Sequence, residues 1–134
     1  MIAVTGANGQ MGRALAKLLG DRGIFLDRAR CDVSDALSVW RVLSELRPSV
    51  VINAAAFTRV DKAQEEVEAC FAANALGVSH VADACRRLDS VLVKISSDYV
   101  FDAYTLRGEP FREEEQPRAR GVYAQSKIQG ERLA

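Results

Sequence analysis

Tyr123 and Lys127, near the C-terminal end of the chain, have the residue types and the spacing that suit proton transfer. They stand four residues apart in the stretch GVYAQSKIQGERLA. On a helix this spacing puts both side chains on one face, about 5 to 6 Å apart. A tyrosine has a reference pKa of about 10 and is a poor acid at neutral pH, but a nearby ammonium group stabilises its phenolate. The pair predicts acid catalysis by Tyr123; alone, it is also compatible with an exposed tyrosine beside a solvated lysine.

Hydroxyl groups follow a second segment that resembles a strand. Ser96 and Ser97 stand in KISSDYVF, at the end of an apolar run that begins at Val91. Ligands bind at the carboxyl ends of parallel strands, where such hydroxyls can hydrogen-bond a substrate carbonyl. Serine is also an ordinary turn residue. The stretch VINAAAFT contributes a comparable edge at residues 53–56, where small side chains leave room for a flat ring.

A glycine loop follows the first apolar run. VTGANGQMG places Gly6, Gly9 and Gly12 between a predicted strand and a predicted helix. In this context Gly6 permits a sharp turn, Gly9 allows backbone to approach a pyrophosphate, and Gly12 allows close packing of helix and strand. Free N–H groups at the start of the helix, with its dipole, favour an anion there. The loop therefore predicts a dinucleotide site.

Charged residues follow the second apolar run, where a dinucleotide site receives the adenosine ribose. Asp27 stands directly after IFL, and an acidic residue at this place binds the ribose hydroxyls. Arg28 and Arg30 are beside it, and an arginine can receive the 2′-phosphate of the phosphorylated coenzyme instead. Asp32 in CDVSD can reach the adenine, or act as a turn or capping carboxylate. The coenzyme is accordingly expected to be NADPH or NADH.

The elements that must position these residues follow from the hydrophobic pattern. Short β-branched or aromatic runs predict strands at residues 2–4, 24–26, 50–53 and 91–96. Apolar residues at helical spacing predict helices at 10–20, 35–46 and 61–88, the last broken near 73–77, and a final helix from about 122. This alternation predicts an α/β fold of the Rossmann type, a doubly wound parallel sheet that is incomplete on its C-terminal side. Residues 102–121 are expected to form a long surface connection.

Composition limits the remaining possibilities. The chain has 134 residues, enough for one domain. Its 18 basic and 18 acidic residues balance, which gives no reason to expect a nucleic-acid or membrane partner. The 3 cysteines form no CxxC pair and predict buried thiols in a reducing cytoplasm. His80 is the single histidine and lacks a ligand pair, so no metal is expected. The start of the chain has no targeting or membrane-spanning pattern.

The chain resembles the extended short-chain dehydrogenase/reductases, and within them the dTDP-4-dehydrorhamnose reductases. The matching stretches are TGANGQMG, CDVSD, NAAAFTRVDKAQEE, ISSDYVFD and YAQSKIQGE, spread over nearly the whole chain. The resemblance implies an NAD(P)-binding Rossmann domain over residues 1–134. It also implies an NAD(P)H-dependent reduction of the 4-keto group of a dTDP-linked 6-deoxysugar, in dTDP-rhamnose biosynthesis, with a nucleotide-sugar substrate.

The resemblance also assigns roles to residues. It implies Tyr123 as the proton donor, Lys127 as the lysine that binds the nicotinamide ribose, and Ser97 as a catalytic hydroxyl. With the residues argued above, the predicted cofactor site comprises Gly6, Gly9, Gln10, Met11, Gly12, Asp27, Arg28, Asp32, Val33, Asn53, Ala54, Ala55, Ala56, Thr58, Tyr123 and Lys127. Tyr99 is either a pocket aromatic or a core residue.

Some features depart from the family pattern. Phe57 stands where the family commonly has histidine, and PRARGVYA replaces a pattern with asparagine before the tyrosine. Members of the family continue beyond this helix with further strands and a sugar-binding region. The chain is therefore expected to be part of a longer polypeptide, or to be completed by another subunit or by homo-oligomerisation. Two other functions stay open: a nucleotide-sugar epimerase or dehydratase, and a dinucleotide-binding regulatory module without turnover.

Overall fold

Four short strands form one parallel sheet in the computed structural model, which describes residues 1–101 and 108–134. The strands are β1 (Ile2–Thr5), β2 (Gly23–Leu26), β3 (Val50–Asn53) and β4 (Val91–Lys94). Their order in the sheet is β2-β1-β3-β4. The chain moves from β1 to one side and then returns past it, so the switch point of the sheet lies between β1 and β3. In open α/β sheets, ligands bind at this point, beyond the carboxyl ends of the strands.

Five α-helices connect or follow these strands within the described ranges. They are α1 (Gln10–Leu19), α2 (Ala36–Leu46), α3 (Val67–Phe71), α4 (Gly77–Leu88) and α5 (Val122–Leu133). The crossovers from β1 to β2 and from β2 to β3 run in opposite directions across the sheet. Since such crossovers are right-handed, their helices α1 and α2 lie on opposite faces. The predicted doubly wound α/β sheet is confirmed.

The long helical segment differs from its prediction. A short 3₁₀ turn at Asp61–Gln64 precedes α3, and the predicted break near residues 73–77 is a π-helical segment at Ala72–Leu76. This segment joins α3 to α4 without leaving helical geometry, so the helix is not interrupted there. The last strand ends at Lys94, earlier than predicted. Of the predicted connection at 102–121, residues 102–107 lie outside the described residues, and 108–121 contain no helix or strand.

The main hydrophobic core lies between the sheet and the two helices that cover one of its faces, α2 and α4. Its fully buried members come from three strands and both helices, and include Ala3, Leu26, Val39, Leu43, Val51 and Val81. Parallel strands covered by helices need apolar residues on both faces, which explains their short continuous apolar runs. This core fixes the strand ends, and with them the loops described below.

β4 is the edge strand on the C-terminal side of the sheet, opposite the edge strand β2. Among the described residues β4 pairs only with β3, and Val91 and Val93 are exposed. The prediction of an open edge is therefore confirmed for this part of the chain. No helix in the described ranges has both the length and the apolar character needed to cross a bilayer.

Candidate functional site

One cavity of about 1120 Å³ opens at the carboxyl ends of the strands. The loops that follow β1, β2, β3 and β4 all contribute to its lining, and so does the first turn and a half of α5. These segments are far apart in sequence, and the parallel sheet brings them to one edge. The glycine loop and the pair formed by Tyr123 and Lys127 therefore face the same space.

The glycine loop has the geometry that its spacing predicts. Gly6 has φ of +72°, and a Cβ atom added there would lie 2.6 Å from the backbone nitrogen of Ala55. At Gly12 an added Cβ would lie 2.4 Å from the Gly6 carbonyl oxygen. Any side chain at either position would displace backbone, so both glycines are needed for close packing. Gly12 is buried beneath the loop, whereas Gly6 and Gly9 line the cavity.

Most of the predicted cofactor residues line this cavity. Those that do so are Gly6, Gly9, Gln10, Met11, Arg28, Asp32, Val33, Asn53, Ala54, Ala55, Ala56, Thr58, Tyr123 and Lys127. Three predicted site residues are not in the lining: Gly12, Asp27 and Ser97.

Asp27 points into the turn after β2. Its Oδ1 atom accepts a 3.0 Å hydrogen bond from the backbone N–H of Arg30, and its Oδ2 atom lies 3.5 Å from the side-chain nitrogen of Asn8. The carboxylate thus joins the turn after β2 to the glycine loop. Asp27 directly follows β2, as predicted, and is not among the residues that line the cavity.

Arg28 and Asp32 form an ion pair at the cavity wall, with 3.0 Å between Nε and Oδ2. The other carboxylate oxygen of Asp32 accepts hydrogen bonds from the hydroxyl group of Ser34 at 2.6 Å and from its backbone N–H at 3.0 Å. These bonds, the hydroxyl first, lower the pKa of Asp32, and Arg28 adds to the effect. Asp32 is consequently a lining carboxylate held in the charged state.

Ser97 acts as a local cap in this structure. Its Oγ atom accepts a 3.3 Å hydrogen bond from the backbone N–H of Tyr99, at the start of a short 3₁₀ turn. Its neighbours Ile95 and Ser96 line the cavity instead. The Tyr99 ring is half exposed and packs edge-on against the ring of Tyr123, with 5.7 Å between centroids. Tyr99 is therefore a neighbour of the candidate catalytic tyrosine and not a core residue.

Lys127 is buried at the cavity wall, with 4% of its surface exposed. Its Nζ atom donates a 2.8 Å hydrogen bond to the carbonyl oxygen of Ile95. Burial, and then the positive charge of Lys94, lowers the pKa of Lys127 to about 8. An ammonium with so low a pKa still carries its charge at neutral pH, where it can stabilise a phenolate or bind ligand hydroxyls.

A buried polar cluster holds α5 in place. Within the π-helical segment, Asn74 accepts a 2.8 Å hydrogen bond from the Phe57 N–H and donates one of 3.0 Å to the Phe57 carbonyl. The same side-chain amide donates to the Ser126 hydroxyl at 3.0 Å, and that hydroxyl donates to the Tyr123 carbonyl at 2.6 Å. Gly130 lies against the backbone of Asn74. Asn74 thereby connects the loop after β3 with the helix that carries Tyr123.

Further residues line the cavity that the predicted site did not include. They are Arg13, Cys31, Ser34, Phe57, Arg59, Glu66, Ala69, Ala72, Ala73 and Ile95. Ser96, whose hydroxyl was proposed with that of Ser97 for a substrate carbonyl, also lines the cavity. Arg13 follows Gly9 by one helical turn, so its position near the glycine loop could be predicted from the sequence. The position of Arg59 could not be predicted in this way, because it depends on a 2.7 Å ion pair with Glu66 and on stacking over the Phe57 ring.

The whole chain matches one family model. Residues 1–134 match the family described as the RmlD substrate binding domain. The chain is 42% identical over 132 residues to dTDP-4-dehydrorhamnose reductase of Streptomyces griseus, covering 96% of this chain and 43% of that protein. It is 40% identical over 136 residues to dTDP-4-dehydrorhamnose reductase of Aggregatibacter actinomycetemcomitans, covering 98% of this chain and 46% of that protein.

A solved structure gives the same result. The crystal structure of dTDP-4-dehydrorhamnose reductase from Bacillus anthracis str. Ames in complex with NADP superposes with a TM-score of 0.93 at 35% identity. The match covers 98% of this chain and 48% of that one. The chain thus spans about half the length of the relatives that it matches.

Proposed function

The chain belongs to the RmlD substrate binding domain family, and from this premise we propose that it serves NAD(P)H-dependent reduction of dTDP-4-dehydrorhamnose to dTDP-rhamnose. The observation that carries the proposal is that Tyr123 and the buried Lys127 line the same cavity as the glycine loop. The family relatives that bear this name support the choice of reaction.

The residues present fit a nicotinamide dinucleotide. The cavity of about 1120 Å³ slightly exceeds the usual range for ligand sites, as an extended dinucleotide requires. A Cβ atom added at Gly9 would meet only the Gly6 carbonyl, at 3.3 Å, so the backbone there is open to a pyrophosphate. Gln10 and Met11 begin α1, whose first N–H groups lack intrahelical partners. These residues would hold the pyrophosphate, and residues 53–56 the middle of the cofactor.

The reaction requires a proton donor beside the carbonyl oxygen. A bound nicotinamide cofactor would supply the hydride for C4 of the sugar. Tyr123 donates its phenolic proton to the carbonyl oxygen, and the charge of Lys127 stabilises the phenolate that is left. Lys127 uses one N–H on the Ile95 carbonyl, and its other N–H groups are available for the nicotinamide ribose. Ser97 orients the substrate carbonyl in this proposal, once its hydroxyl turns from its cap.

We also propose that residues 1–134 provide the dinucleotide-binding part of the active protein. Recognition of the nucleotide sugar then requires structure from a longer polypeptide or from another subunit. The exposed edge of β4 supports this division, because Val91 and Val93 offer an unpaired apolar strand for further pairing. A cytoplasmic location fits the three buried free thiols, which are typical of a reducing compartment.

The test is a spectroscopic assay with NADPH and dTDP-4-dehydrorhamnose, in which residues 1–134 are part of the longer polypeptide or complex that supplies the sugar site. Loss of absorbance of the reduced cofactor, dependent on the sugar, is the expected result. Cofactor binding without turnover by that folded protein would favour the regulatory module. Oxidised NAD that remains bound through purification would favour the epimerase or dehydratase. A folded chain that binds neither NADPH nor NADH would refute the proposal.

A further inference from the structure

A series of polar contacts joins the end of β4 to the second half of α5. The Lys94 Nζ atom donates to the Ser96 hydroxyl and to the backbone carbonyl of Lys127, each at 3.4 Å. The Ser96 hydroxyl in turn donates to the Glu131 carboxylate. Lys127 adds its 2.8 Å hydrogen bond to the Ile95 carbonyl. Strand and helix are therefore joined by a cluster that contains two ammonium groups and one carboxylate.

The two ammonium groups of this cluster repel each other. Lys127 is buried and Lys94 is half-buried, so solvent screens the repulsion only in part. Burial has the largest effect on the pKa of Lys127; the charge of Lys94 lowers that pKa further, and the Glu131 carboxylate raises it. Burial also lowers the pKa of Lys94, which Glu131 again raises. The single carboxylate of the cluster thus stabilises the charge of both lysines.

From these contacts we infer that Glu131 is a positioning residue for the proposed reaction, because its carboxylate balances Lys94 and holds the Lys127 ammonium, in its charged form, at the cavity wall. Glu131 is not among the residues that line the cavity, and it acts through Ser96 and Lys127, which are. The inference rests on the proposed function, since it needs Lys127 to stabilise the Tyr123 phenolate. Without Glu131, loss of a proton from the buried lysine would relieve the repulsion.

The other ionisable groups around α5 leave this balance to Glu131 and Lys94. The Cys70 thiol, buried on α3, raises the pKa of Lys127 by less than either of them changes it. Tyr123 stands one turn before Lys127 on the same helix. The charged side chains of α3, of α4 and of the two 3₁₀ turns at residues 61–64 and 98–100 are exposed, where water and salt screen them. His80 on α4 bonds to the Val33 carbonyl instead.

The test measures the pKa of Lys127 by NMR of lysine labelled with ¹³C at Cε, in the same protein as the turnover assay. Lys127→Met identifies the resonance. Glu131→Gln keeps the shape of the side chain and should lower the pKa of Lys127 by about 1 from its value of about 8. Turnover should then fall about fivefold at pH 8 but less than about twofold at pH 6.5, where Lys127 remains mostly protonated in both proteins. Loss of packing alone would lower turnover equally at both pH values.

Lys94→Met in the Glu131→Gln background separates charge from packing. Lys94 affects the pKa of Lys127 more than Glu131 does, so the double variant should have a pKa at or above the wild-type value. Its turnover at pH 8 should return to within about twofold of wild type. Glu45→Gln is the matched control, since it removes the same charge from an exposed site on α2. It should leave the pKa of Lys127 and the pH profile unchanged.

Two results would overturn the inference and leave the proposed function standing. One is an unchanged pKa of Lys127 in Glu131→Gln. The other is a loss of turnover that is equal at both pH values and that Lys94→Met does not restore. A folded wild type without turnover would instead refute the proposed function and, with it, the role of Glu131 in the reaction.

Discussion

Lys127 on α5 donates a 2.8 Å hydrogen bond from Nζ to the carbonyl oxygen of Ile95, just beyond the end of β4. This contact joins the helix of the candidate acid to the edge of the sheet at the cavity. It also places the ammonium at the wall of the same cavity as Ile95, where Lys127 is 4% exposed. Because burial lowers the pKa of Lys127, its position in the fold can be tested through its protonation.

Burial of Lys127 predicts a stability that depends on pH. Its pKa is about 8 in the folded chain, against 10.5 for an ordinary lysine. Between these values the unfolded chain holds a proton that the folded chain has released, so raising the pH through this window favours folding. Below about pH 8 both states are protonated, and the folded state bears the full cost of the buried charge. Between pH 7 and pH 10 the deprotonation of Lys127 should add roughly 2 to 3 kcal/mol to the free energy of unfolding.

Urea unfolding of wild type and Lys127→Met at pH 7 and pH 10 measures this effect. The wild type should gain stability relative to the variant at the higher pH. Lys17→Met is the control, since Lys17 is exposed on α1. The difference in stability between Lys17→Met and wild type should be the same at pH 7 and at pH 10. If the difference in stability between Lys127→Met and wild type is also the same at both pH values, the prediction of a buried ammonium with a lowered pKa is wrong.

Tyr123→Phe tests the assignment of the proton donor. It keeps the ring that packs edge-on against Tyr99 and removes only the hydroxyl group. Turnover should fall by about 10²- to 10⁴-fold, the usual contribution of an acid catalyst, while affinity for the cofactor stays within about twofold. Tyr99→Phe removes the hydroxyl from the other ring of the pair and should keep most of the turnover. Activity that survives in Tyr123→Phe would exclude the tyrosine as the acid.

Local pattern was sufficient to predict the strands and the glycine loop. The runs at β1, β2 and β3 are short and apolar because both faces of the sheet are covered, and the predicted bounds differ from the observed ones by at most one residue. Gly6 and Gly12 were recognisable from spacing because the turn at Gly6 and the close approach at Gly12 permit no side chain. In these segments the sequence pattern and the packing impose the same requirement.

The features that local pattern did not predict depend on side-chain contacts with other segments. The Asp27 carboxylate meets the Asn8 amide of the glycine loop as well as the nearby Arg30 N–H. The segment around Asn74 was predicted as a break in the helix. It remains helical, as a π-helical segment, with the Asn74 side chain bonded to the backbone of Phe57, 17 residues earlier. No periodicity within either segment contains this information.

Asn74→Ala should destabilise the fold and disturb α5. The change leaves the N–H of Phe57 without its acceptor, the Asn74 Oδ1 atom, and removes the amide that donates to Ser126. Loss of these bonds within a buried site should cost about 2 to 4 kcal/mol in urea unfolding. Gln129→Ala removes a similar amide from the exposed face of α5 and should cost less than about 0.5 kcal/mol. Equal stability of the two variants would show that the cluster does not hold the helix.

Gly130→Ala tests how closely α5 packs on the π-helical segment. Alanine normally favours a helix over glycine by about 1 kcal/mol, so propensity alone predicts a gain in stability. A Cβ atom at Gly130, however, would fall in direct overlap with the backbone carbonyl oxygen of Asn74, which is fixed in the helix. Overpacking of this kind costs about 1 to 3 kcal/mol or more, and the overlap with backbone places this change at the upper end.

For Gly130→Ala, a net loss of about 2 kcal/mol in the free energy of unfolding is expected in urea. Cofactor binding should also weaken, because Tyr123 and Lys127 shift with the helix. Gly108→Ala, where an added Cβ meets nothing within 4 Å, should change stability by less than about 0.5 kcal/mol. If Gly130→Ala is as stable as wild type, α5 does not pack closely against the backbone of Asn74.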